Sequence, residues 1–334
     1  MSLTICLIEG DGVGKEVIPA AASVLGALGL PITFTHAQAG WECFTQQGDA
    51  LPEATITAMR AADATLFGAT QSPMAKVEGY RSPVLAMRKL FNLHANLRPT
   101  RSLPIPGGRE GIDLLIVREN TEGLYSGRER REDDGQTAIT ERVITAAATE
   151  RIGRTAFQLA ARRPRQQVTI VHKANVIKEG DGLFREVCLR VAAEFPNVQA
   201  SEMLVDACAM WLVRDPARFD VIVTENLFGD ILSDEAAGLI GGLGVAPSAN
   251  VGAGKVAYFE PVHGSAPDIA GQGIANPIGA ILSAAMLLAH IGATEAAARV
   301  ERAVQAALRE GVLTRDLGGA ASTSEMKDAI LKQL

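Results

Sequence analysis

Short apolar runs alternate with amphipathic stretches along this chain. Near the start, strand-like runs at 4–8 and 32–37 enclose a helical pattern at about 15–28. Such alternation is typical of α/β proteins, in which helices cover both faces of a parallel or mixed sheet. A later segment, 277–290, is apolar around most of its circumference, so we expect a buried helix there.

Four apolar runs in the middle of the chain end in charged or polar residues. The runs are 113–117, 168–171, 203–205 and 221–223, and the residues that follow them include Arg118, Lys173, Asp206 and Glu225. In open α/β sheets, ligands bind outside the carboxyl ends of the strands. Four strand ends that together offer Arg, Lys and Asp indicate one site for an anionic substrate and a cation.

Two further carboxylates, Asp230 and Asp234, follow the last of these runs. They lie in a segment, 230–240, that reads as a helix, and residues four apart share one helical face. Like charges at that spacing repel, and a divalent cation such as Mg²⁺ or Mn²⁺ would stabilise them. The alternative is a solvated acidic face near a helix N-terminus, where the dipole favours Asp. A third carboxylate, Asp206, favours the cation.

Two stretches are rich in glycine. The turn 10–14 lacks the glycine that a dinucleotide-binding G-x-G-x-x-G pattern needs at position 15, so we expect only a tight turn with a close backbone approach. The stretch 260–277 is either a plain loop or a ligand loop whose small residues admit a flat group. His263 and Asn276 could donate or accept hydrogen bonds there. Asp268 could accept from a ribose 2′-hydroxyl while repelling a 2′-phosphate.

Size and charge narrow the class of protein. A length of 334 residues favours two domains, and crossings are indicated by the Pro- and Gly-rich stretches 99–108 and 241–254. A net charge of −6 and an aromatic content of 4% argue against a nucleic-acid surface. The longest apolar run is too short to span a bilayer. The four scattered cysteines and the lack of a visible signal peptide favour a cytoplasmic protein with reduced thiols.

Taken together, these motifs resemble the β-decarboxylating dehydrogenases, the family of isocitrate, 3-isopropylmalate, homoisocitrate and tartrate dehydrogenases. The resemblance covers nearly the whole chain, through the motifs at 10–14, 96–99, 117–123, 172–175, 226–230 and 263–268. Such enzymes oxidise a 2-hydroxy acid with NAD(P)⁺ and then release its β-carboxylate as CO₂. The resemblance implies an α/β fold of two domains, with a mixed sheet and flanking helices, that is not a standard Rossmann fold. It also implies a large domain, 1–98 plus 242–334, which carries the cofactor loop, and a small domain, 99–241, which supplies dimer contacts.

The resemblance also implies roles for individual residues. The catalytic residues would be Tyr125, which protonates the enol carbon, Lys173, which assists deprotonation of the hydroxyl, and Asp206. Mg²⁺ or Mn²⁺ would be held by Asp230 and Asp234 with Asp206 of the neighbouring subunit. Substrate-binding residues would be Arg81, Ser82, Arg88, Arg98, Arg118, Tyr125, Lys173 and Asn175. Residues that contact NAD would be Asn175, His263, Gly264, Ser265, Ala266, Pro267, Asp268 and Asn276.

The stretch before Arg88 should decide which acid is bound. Val84 and Leu85 stand where isopropylmalate enzymes place paired leucines, whereas Arg81 and Ser82 resemble isocitrate enzymes, in which Ser meets a distal carboxylate. The run most resembles homoisocitrate dehydrogenases of lysine biosynthesis, although some relatives have Arg where Leu85 stands. We therefore expect NAD-dependent conversion of homoisocitrate to 2-oxoadipate and CO₂. The alternatives are isocitrate and 3-isopropylmalate.

A different class of function is a regulatory subunit without catalysis. Such chains should lack part of the acid–base and metal set, which is complete here. We therefore expect an active homo-oligomer, a dimer or tetramer, whose subunits share their active sites. Its partner would be a small 2-hydroxy-3-carboxy acid, with no nucleic acid and no membrane.

Overall fold

The computed structural model describes residues 3–334, and these form two compact units. The terminal unit contains the described residues up to Asn92, together with Ser102–Glu110 and Ala237–Leu334. The central unit contains Leu93–Arg101 and Gly111–Ala236. Each unit contributes a run of neighbouring strands and its own flanking helices, as expected for an α/β protein.

The strands and helices alternate through most of the chain. The strands are β1 (Leu3–Gly10), β2 (Ile32–His36), β3 (Ala64–Ala69), β4 (Ala95–Arg101), β5 (Asp113–Glu119), β6 (Glu129–Glu132), β7 (Thr137–Thr140), β8 (Gln167–His172), β9 (Gln199–Leu204), β10 (Val221–Thr224), β11 (Pro247–Val251) and β12 (Tyr258–Pro261). The helices are α1 (Gly14–Gly26), α2 (Trp41–Gln47), α3 (Glu53–Ala61), α4 (Pro83–Leu90), α5 (Ala146–Ala160), α6 (Gly180–Ala192), α7 (Val205–Arg214), α8 (Asn226–Gly238), α9 (Ile278–His290), α10 (Thr294–Arg309) and α11 (Thr323–Lys332).

The strands of the terminal unit have the order β2-β1-β3-β12-β11. They run parallel except β11, which is antiparallel to β12. The apolar segment predicted near 277–290 forms α9, and most of its side chains are buried against α1, α10 and β12. A helix that is hydrophobic on nearly every side has no stable place except inside the core.

The strands of the central unit have the order β4-β5-β10-β8-β9. Only β4 is antiparallel to its neighbour in this group, so β5, β10, β8 and β9 all end at the same edge. The polar residues after the four apolar runs therefore lie along this edge. Asp206 departs slightly from the prediction, because β9 ends at Leu204 and Asp206 lies in the first turn of α7.

The charged run 128–134 forms the first strand and the start of the turn of an exposed hairpin. Strands β6 and β7 pair antiparallel, and every residue of β6 is exposed. Two successive residues in the turn, Asp133 and Asp134, have positive φ angles of 52° and 50°. Asp tolerates this left-handed conformation better than most residues, so the turn suits its sequence.

The two compact units do not divide the chain where the predicted domains do. Residues 93–98 belong to the central unit because β4 pairs with β5 along its whole length. Residues 102–110 belong to the terminal unit, where Arg109 N–H donates to Leu239 O at 3.0 Å. The predicted division at 98/99 and 241/242 remains a prediction about domains.

Candidate active site

The helix that carries two predicted metal ligands, α8, begins at Asn226, so the predicted start at Asp230 was wrong. Glu225 precedes the helix, and its carboxylate accepts hydrogen bonds from Leu227 N at 3.2 Å and Phe228 N at 2.7 Å. These bonds satisfy donors that a helix N-terminus leaves unpaired. Asp230 therefore lies in the second turn of α8.

Asp230 and Asp234 share one face of α8, and both contact Arg98. Arg98 Nη1 lies 2.9 Å from Asp234 Oδ1 and 3.3 Å from Asp230 Oδ1, and it donates to Ser233 Oγ at 2.7 Å. Arg118 Nη1 donates a short hydrogen bond to Asp230 Oδ1. Two guanidinium groups thus stabilise two carboxylates that would otherwise repel each other. Burial raises the pKa of Asp234, and the charge of Arg98 opposes that rise.

The guanidinium group of Arg118 is buried and fixed from several sides. Nε and Nη2 donate to Asn226 Oδ1 at 3.0 and 2.8 Å, and the guanidinium carbon lies 5.3 Å from the centre of the Tyr125 ring. A Cβ atom at Gly229 would lie 2.6 Å from Arg118 Cγ, so glycine is required for α8 to come this close. Asn226 and Gly229 of α8 therefore set the direction of the arginine.

Tyr125 belongs to the same group of side chains. Its ring is half-buried, and its hydroxyl donates to Asp230 Oδ2 at 2.6 Å. The structure therefore brings together five residues of the central unit that the sequence singled out. We call this group the aspartate face, and its members are Arg98, Arg118, Tyr125, Asp230 and Asp234.

Lys173 and Asp206 form a second polar pair in the central unit. Lys173 Nζ donates to Asp206 Oδ1 at 2.6 Å, and this bond lowers the pKa of Asp206. Across residues 3–334, no three His, Cys, Asp or Glu side chains lie close enough together to hold a metal ion. Asp206 therefore does not complete a three-carboxylate site with Asp230 and Asp234 within one chain. Its contribution from a neighbouring subunit stays a prediction.

A buried ion-pair network, which sequence reasoning missed, connects Lys173 to the start of α8. Lys173 N–H donates to Asp181 Oδ2 at 2.5 Å, and Asp181 Oδ1 accepts a short hydrogen bond from Arg142. Arg142 Nη2 lies 3.3 Å from Glu225 Oε1, on the carboxylate that caps α8. The only signal in the sequence was an Asp in the first turn of the helix that follows Lys173.

The aspartate face can accommodate a divalent cation. Oxygens of Asp230 and Asp234 both lie within 3.3 Å of one positively charged nitrogen of Arg98. Their side chains are 32% and 46% exposed, so both carboxylates are accessible. Hard cations such as Mg²⁺ and Mn²⁺ prefer carboxylate oxygens. The residues of this chain therefore fit such an ion, with the two aspartates as ligands.

The predicted cofactor residues of the terminal unit lie in the loop 263–276, called here the cofactor loop. Ser265 is buried, whereas Pro267 and Asp268 are exposed. Ala266 has a φ of 39°, an unusual angle for a residue other than glycine and one often found at functional sites.

Asn276 holds the end of the cofactor loop in place. Its Nδ2 donates to Asp316 Oδ2 at 3.0 Å, and its Oδ1 accepts from Ile278 N at 3.0 Å, at the start of α9. Both groups of the amide are thus already hydrogen-bonded within the protein. A direct contact between Asn276 and a cofactor stays a prediction.

His263 has one buried ring nitrogen without a hydrogen-bond partner among residues 3–334. Its Nδ1 lies 2.9 Å from Gly264 O, and since a carbonyl oxygen only accepts, Nδ1 carries the proton. Its Nε2 is buried and has no hydrogen-bond partner among residues 3–334. Burial lowers the pKa of the ring and keeps it neutral. A contact between this nitrogen and an adenosine group stays a prediction.

Two further predicted substrate residues, Arg88 and Ser82, differ in how firmly the protein holds their side chains. Arg88 is buried beside β12, where Nε donates to Tyr258 Oη at 3.3 Å and Nη2 lies 3.6 Å from Glu260 Oε1. Ser82 caps α4 through a long contact, 3.5 Å from Leu85 N, so its hydroxyl is only weakly engaged.

Arg81 and Asn175 are both exposed. Arg81 immediately precedes the residue that caps α4, and Asn175 lies in the turn that follows β8. The substrate roles of these two residues stay predictions.

Comparison with known proteins identifies the class of enzyme. Residues 4–330 match the isocitrate/isopropylmalate dehydrogenase family. The chain is 55% identical over 334 residues to the isocitrate/homoisocitrate dehydrogenase of Thermus thermophilus, covering 100% of this chain and 99% of the relative. It is 50% identical to the 3-isopropylmalate dehydrogenase of Methanothermobacter thermautotrophicus, with coverage of 100% and 99%. A crystal structure of isocitrate dehydrogenase from Methylococcus capsulatus superimposes with a TM-score of 0.95 at 43% identity, covering 99% of each chain.

The chain therefore belongs to the isocitrate/isopropylmalate dehydrogenase family and is an oxidoreductase acting on small hydroxy acids. The predicted family and fold class are confirmed. The similar identities to relatives with different substrates do not select among the acids. Within residues 3–334, no helix is both long and apolar enough to cross a membrane.

Proposed function

We propose that this protein is an NAD-dependent, metal-requiring homoisocitrate dehydrogenase that produces 2-oxoadipate and CO₂ in lysine biosynthesis. The observation that supports this most directly is the aspartate face, where Arg98 and Arg118 converge on Asp230 and Asp234. Two arginines balance two aspartates there, so a bound divalent cation would leave the face positive. A positive face is what a substrate with several carboxylates needs.

The residues of the chain would bind the acid and move its protons. Arg88, Arg98 and Arg118 would bind substrate carboxylates through their fork-shaped guanidinium groups. Lys173 would accept the proton of the 2-hydroxyl, and Tyr125 would deliver a proton to the enol carbon after CO₂ has left. Asp230 and Asp234 would hold Mg²⁺ or Mn²⁺, which would supply Lewis acidity, and the cofactor loop would hold NAD⁺, which would supply the hydride acceptor.

The preference for homoisocitrate rests on Arg81 and Ser82. The guanidinium of Arg81 is exposed and the hydroxyl of Ser82 is weakly engaged, so both are available for the distal carboxylate that homoisocitrate and isocitrate carry and 3-isopropylmalate lacks. Val84 and Leu85 are only partly buried and provide apolar surface for the longer chain of homoisocitrate.

NAD would bind at the cofactor loop. Nε2 of His263 offers an unpaired acceptor, and the exposed carboxylate of Asp268 can accept from a ribose 2′-hydroxyl. The same charge would repel the 2′-phosphate of NADP⁺. Asn175 would contribute on the nicotinamide side.

A homo-oligomer would complete the site with Lys173 and Asp206 of a neighbouring subunit. The central unit exposes large apolar side chains at Met210 (42%), Val213 (47%) and Ile231 (58%), which an oligomer would bury.

Mixing two inactive variants, D230N and K173A, tests whether the subunits share their active sites. Because one site of each mixed dimer would be intact, about a quarter of the wild-type activity should return. No recovery after mixed dimers have been demonstrated would contradict sharing.

A substrate panel tests the proposed function as a whole. Homoisocitrate, isocitrate, 3-isopropylmalate, malate and tartrate would be assayed with NAD⁺ and NADP⁺, with and without EDTA. We expect the highest kcat/KM for homoisocitrate with NAD⁺. EDTA should abolish the activity, and added Mg²⁺ or Mn²⁺ should restore it.

R81A should lower the rate on homoisocitrate, whereas K89A, which removes an exposed charge from α4, should not. Best turnover of 3-isopropylmalate, or an R81A variant with the wild-type rate, would contradict the choice of acid.

A chain with no NADH production on any acid would instead favour the regulatory-subunit alternative. The completeness of the aspartate face in the structure argues against that alternative.

A further inference from the structure

The turn at 10–14 contacts the cofactor loop directly. Val13 N–H donates to Ser265 O at 2.9 Å, and a Cβ atom at Gly12 would lie only 2.0 Å from that oxygen. Gly12 also has a φ of 57°, so glycine is required at this position for two independent reasons. The close backbone approach that the sequence indicated is therefore an anchor for the first part of the loop.

A second anchor comes from α1, which begins at this turn. Glu16 Oε1 accepts a hydrogen bond from Gly271 N at 2.7 Å. Val13 immediately precedes α1 and Glu16 lies in its first turn, so both contacts to the loop come from the N-terminal end of this helix. The exposed Asp268 lies between the two anchored loop positions, Ser265 and Gly271.

The far end of the loop is fixed by α11. Thr323 N–H donates to Gly273 O at 2.9 Å, and its hydroxyl donates to Ala275 O at 2.6 Å. Within residues 3–334, the backbone of the intervening segment 266–270 therefore makes no hydrogen bond to a residue outside the loop. If the hydrogen bond from Gly271 N–H to Glu16 were lost, this segment would extend to 272, and the tip around Asp268 would gain conformational freedom.

We propose that Glu16 is a positioning residue that holds the cofactor loop in its binding conformation. The proposal rests on the proposed binding of NAD at that loop. Oε1 of Glu16 accepts the bond from the loop, while Oε2 is buried without a hydrogen-bond partner among residues 3–334, so one oxygen of this carboxylate is kept from water. The role of Glu16 is indirect, because it acts on the cofactor through the loop backbone.

Two substitutions at Glu16 separate this role from a general structural one. E16A removes the acceptor for Gly271 N–H and should raise both KM for NAD⁺ and Kd for NADH by about tenfold, as expected for a charged hydrogen bond. KM for the acid and kcat should stay within about twofold. E16Q keeps an acceptor oxygen in the same place and should restore most of the affinity.

Two further variants serve as control and support. Glu53 is also an acidic first-turn residue of a helix, but it is exposed and makes only a 3.8 Å ion pair with Arg60. E53A should therefore leave cofactor affinity unchanged. T323V keeps the shape of Thr323 and its N–H bond but removes the hydroxyl bond to Ala275 O, so it should weaken NADH binding in the same direction.

Direct measurements make the outcome independent of turnover. NADH binding would be followed by fluorescence titration, and hydrogen exchange of the amides at 265–276 would be measured without ligand. We expect faster exchange in E16A than in E16Q or E53A. If the wild type binds NADH and E16A binds it equally well with unchanged exchange, the role of Glu16 is wrong while the proposed function stands. If the wild type does not bind NADH, both are wrong.

Discussion

Different kinds of interaction stabilise the aspartate face of the central unit and the cofactor loop of the terminal unit. The aspartate face consists of side chains that bond to one another, with Arg118 and Asp230 at its centre. The cofactor loop is held mainly through its backbone, by hydrogen bonds to α1 and α11. In a network of paired charges, removing one side chain weakens the interactions of all the others. A loop with several backbone hydrogen bonds loses only part of its order when one of them is removed.

The largest effect should come from breaking the aspartate face. D230N removes the charge that Arg98 and Arg118 share and weakens the acceptor of the Tyr125 hydroxyl, so kcat should fall about a thousandfold. Steady-state kinetics with saturating acid, NAD⁺ and Mg²⁺ measures this loss. E235Q removes the same charge from the same helix outside the face and should retain activity. A D230N enzyme within tenfold of the wild type would show that the face is not the catalytic centre.

The next effect concerns stability rather than chemistry. R142M leaves the buried carboxylates of Asp181 and Glu225 without their positively charged partner, so the free energy of unfolding should fall by about 3–5 kcal/mol. Urea denaturation measures this change. R130M removes an arginine whose ion pairs with Glu132 and Glu141 are exposed, and it should cost less than about 1 kcal/mol. Equal losses in the two variants would mean that the buried network is not structurally important.

A smaller effect is expected in the cofactor loop. D268N removes the exposed charge that would repel a 2′-phosphate, so the ratio of kcat/KM for NAD⁺ over NADP⁺ should fall by about tenfold. Thermal stability should not change, because the side chain is exposed. D328N, which alters an exposed carboxylate of α11, is the control. An unchanged cofactor ratio in D268N would exclude this residue as the discriminating one.

The smallest effect concerns pH. Burial lowers the pKa of His263, so the neutral ring that accepts a hydrogen bond persists as pH falls through the ordinary imidazole value of about 6.5. The interaction is present above that value and is lost only when pH falls through the lower folded pKa. NADH affinity should therefore be flat from pH 8 to about 6.5 and decline below it. H263Q should remove the decline, and a midpoint at or above 6.5 in the wild type would contradict the assignment.

Several parts of the site could be predicted from the chain alone because they depend on local spacing. The common face of Asp230 and Asp234 follows from a separation of four residues in a helix, and the strand ends of β5, β8 and β10 follow from apolar runs that stop at polar residues. The start of α8 could not be predicted in this way. It depends on the carboxylate of Glu225, which accepts a hydrogen bond from the first turn of the helix. A Glu that precedes a helix often makes no such hydrogen bond.

The sequence by itself determined the family, the alternating α/β pattern and the residue types that carry the chemistry. Only the tertiary structure decided which charged residues form ion pairs, because pairs such as Arg98 with Asp234 join residues that are 136 positions apart. It likewise decided that Arg142 and Asp181 support Lys173, and that Glu16 meets Gly271 across 255 positions. Local propensity depends on neighbours within a few residues, whereas these contacts depend on how strands and helices bring distant segments of the chain together.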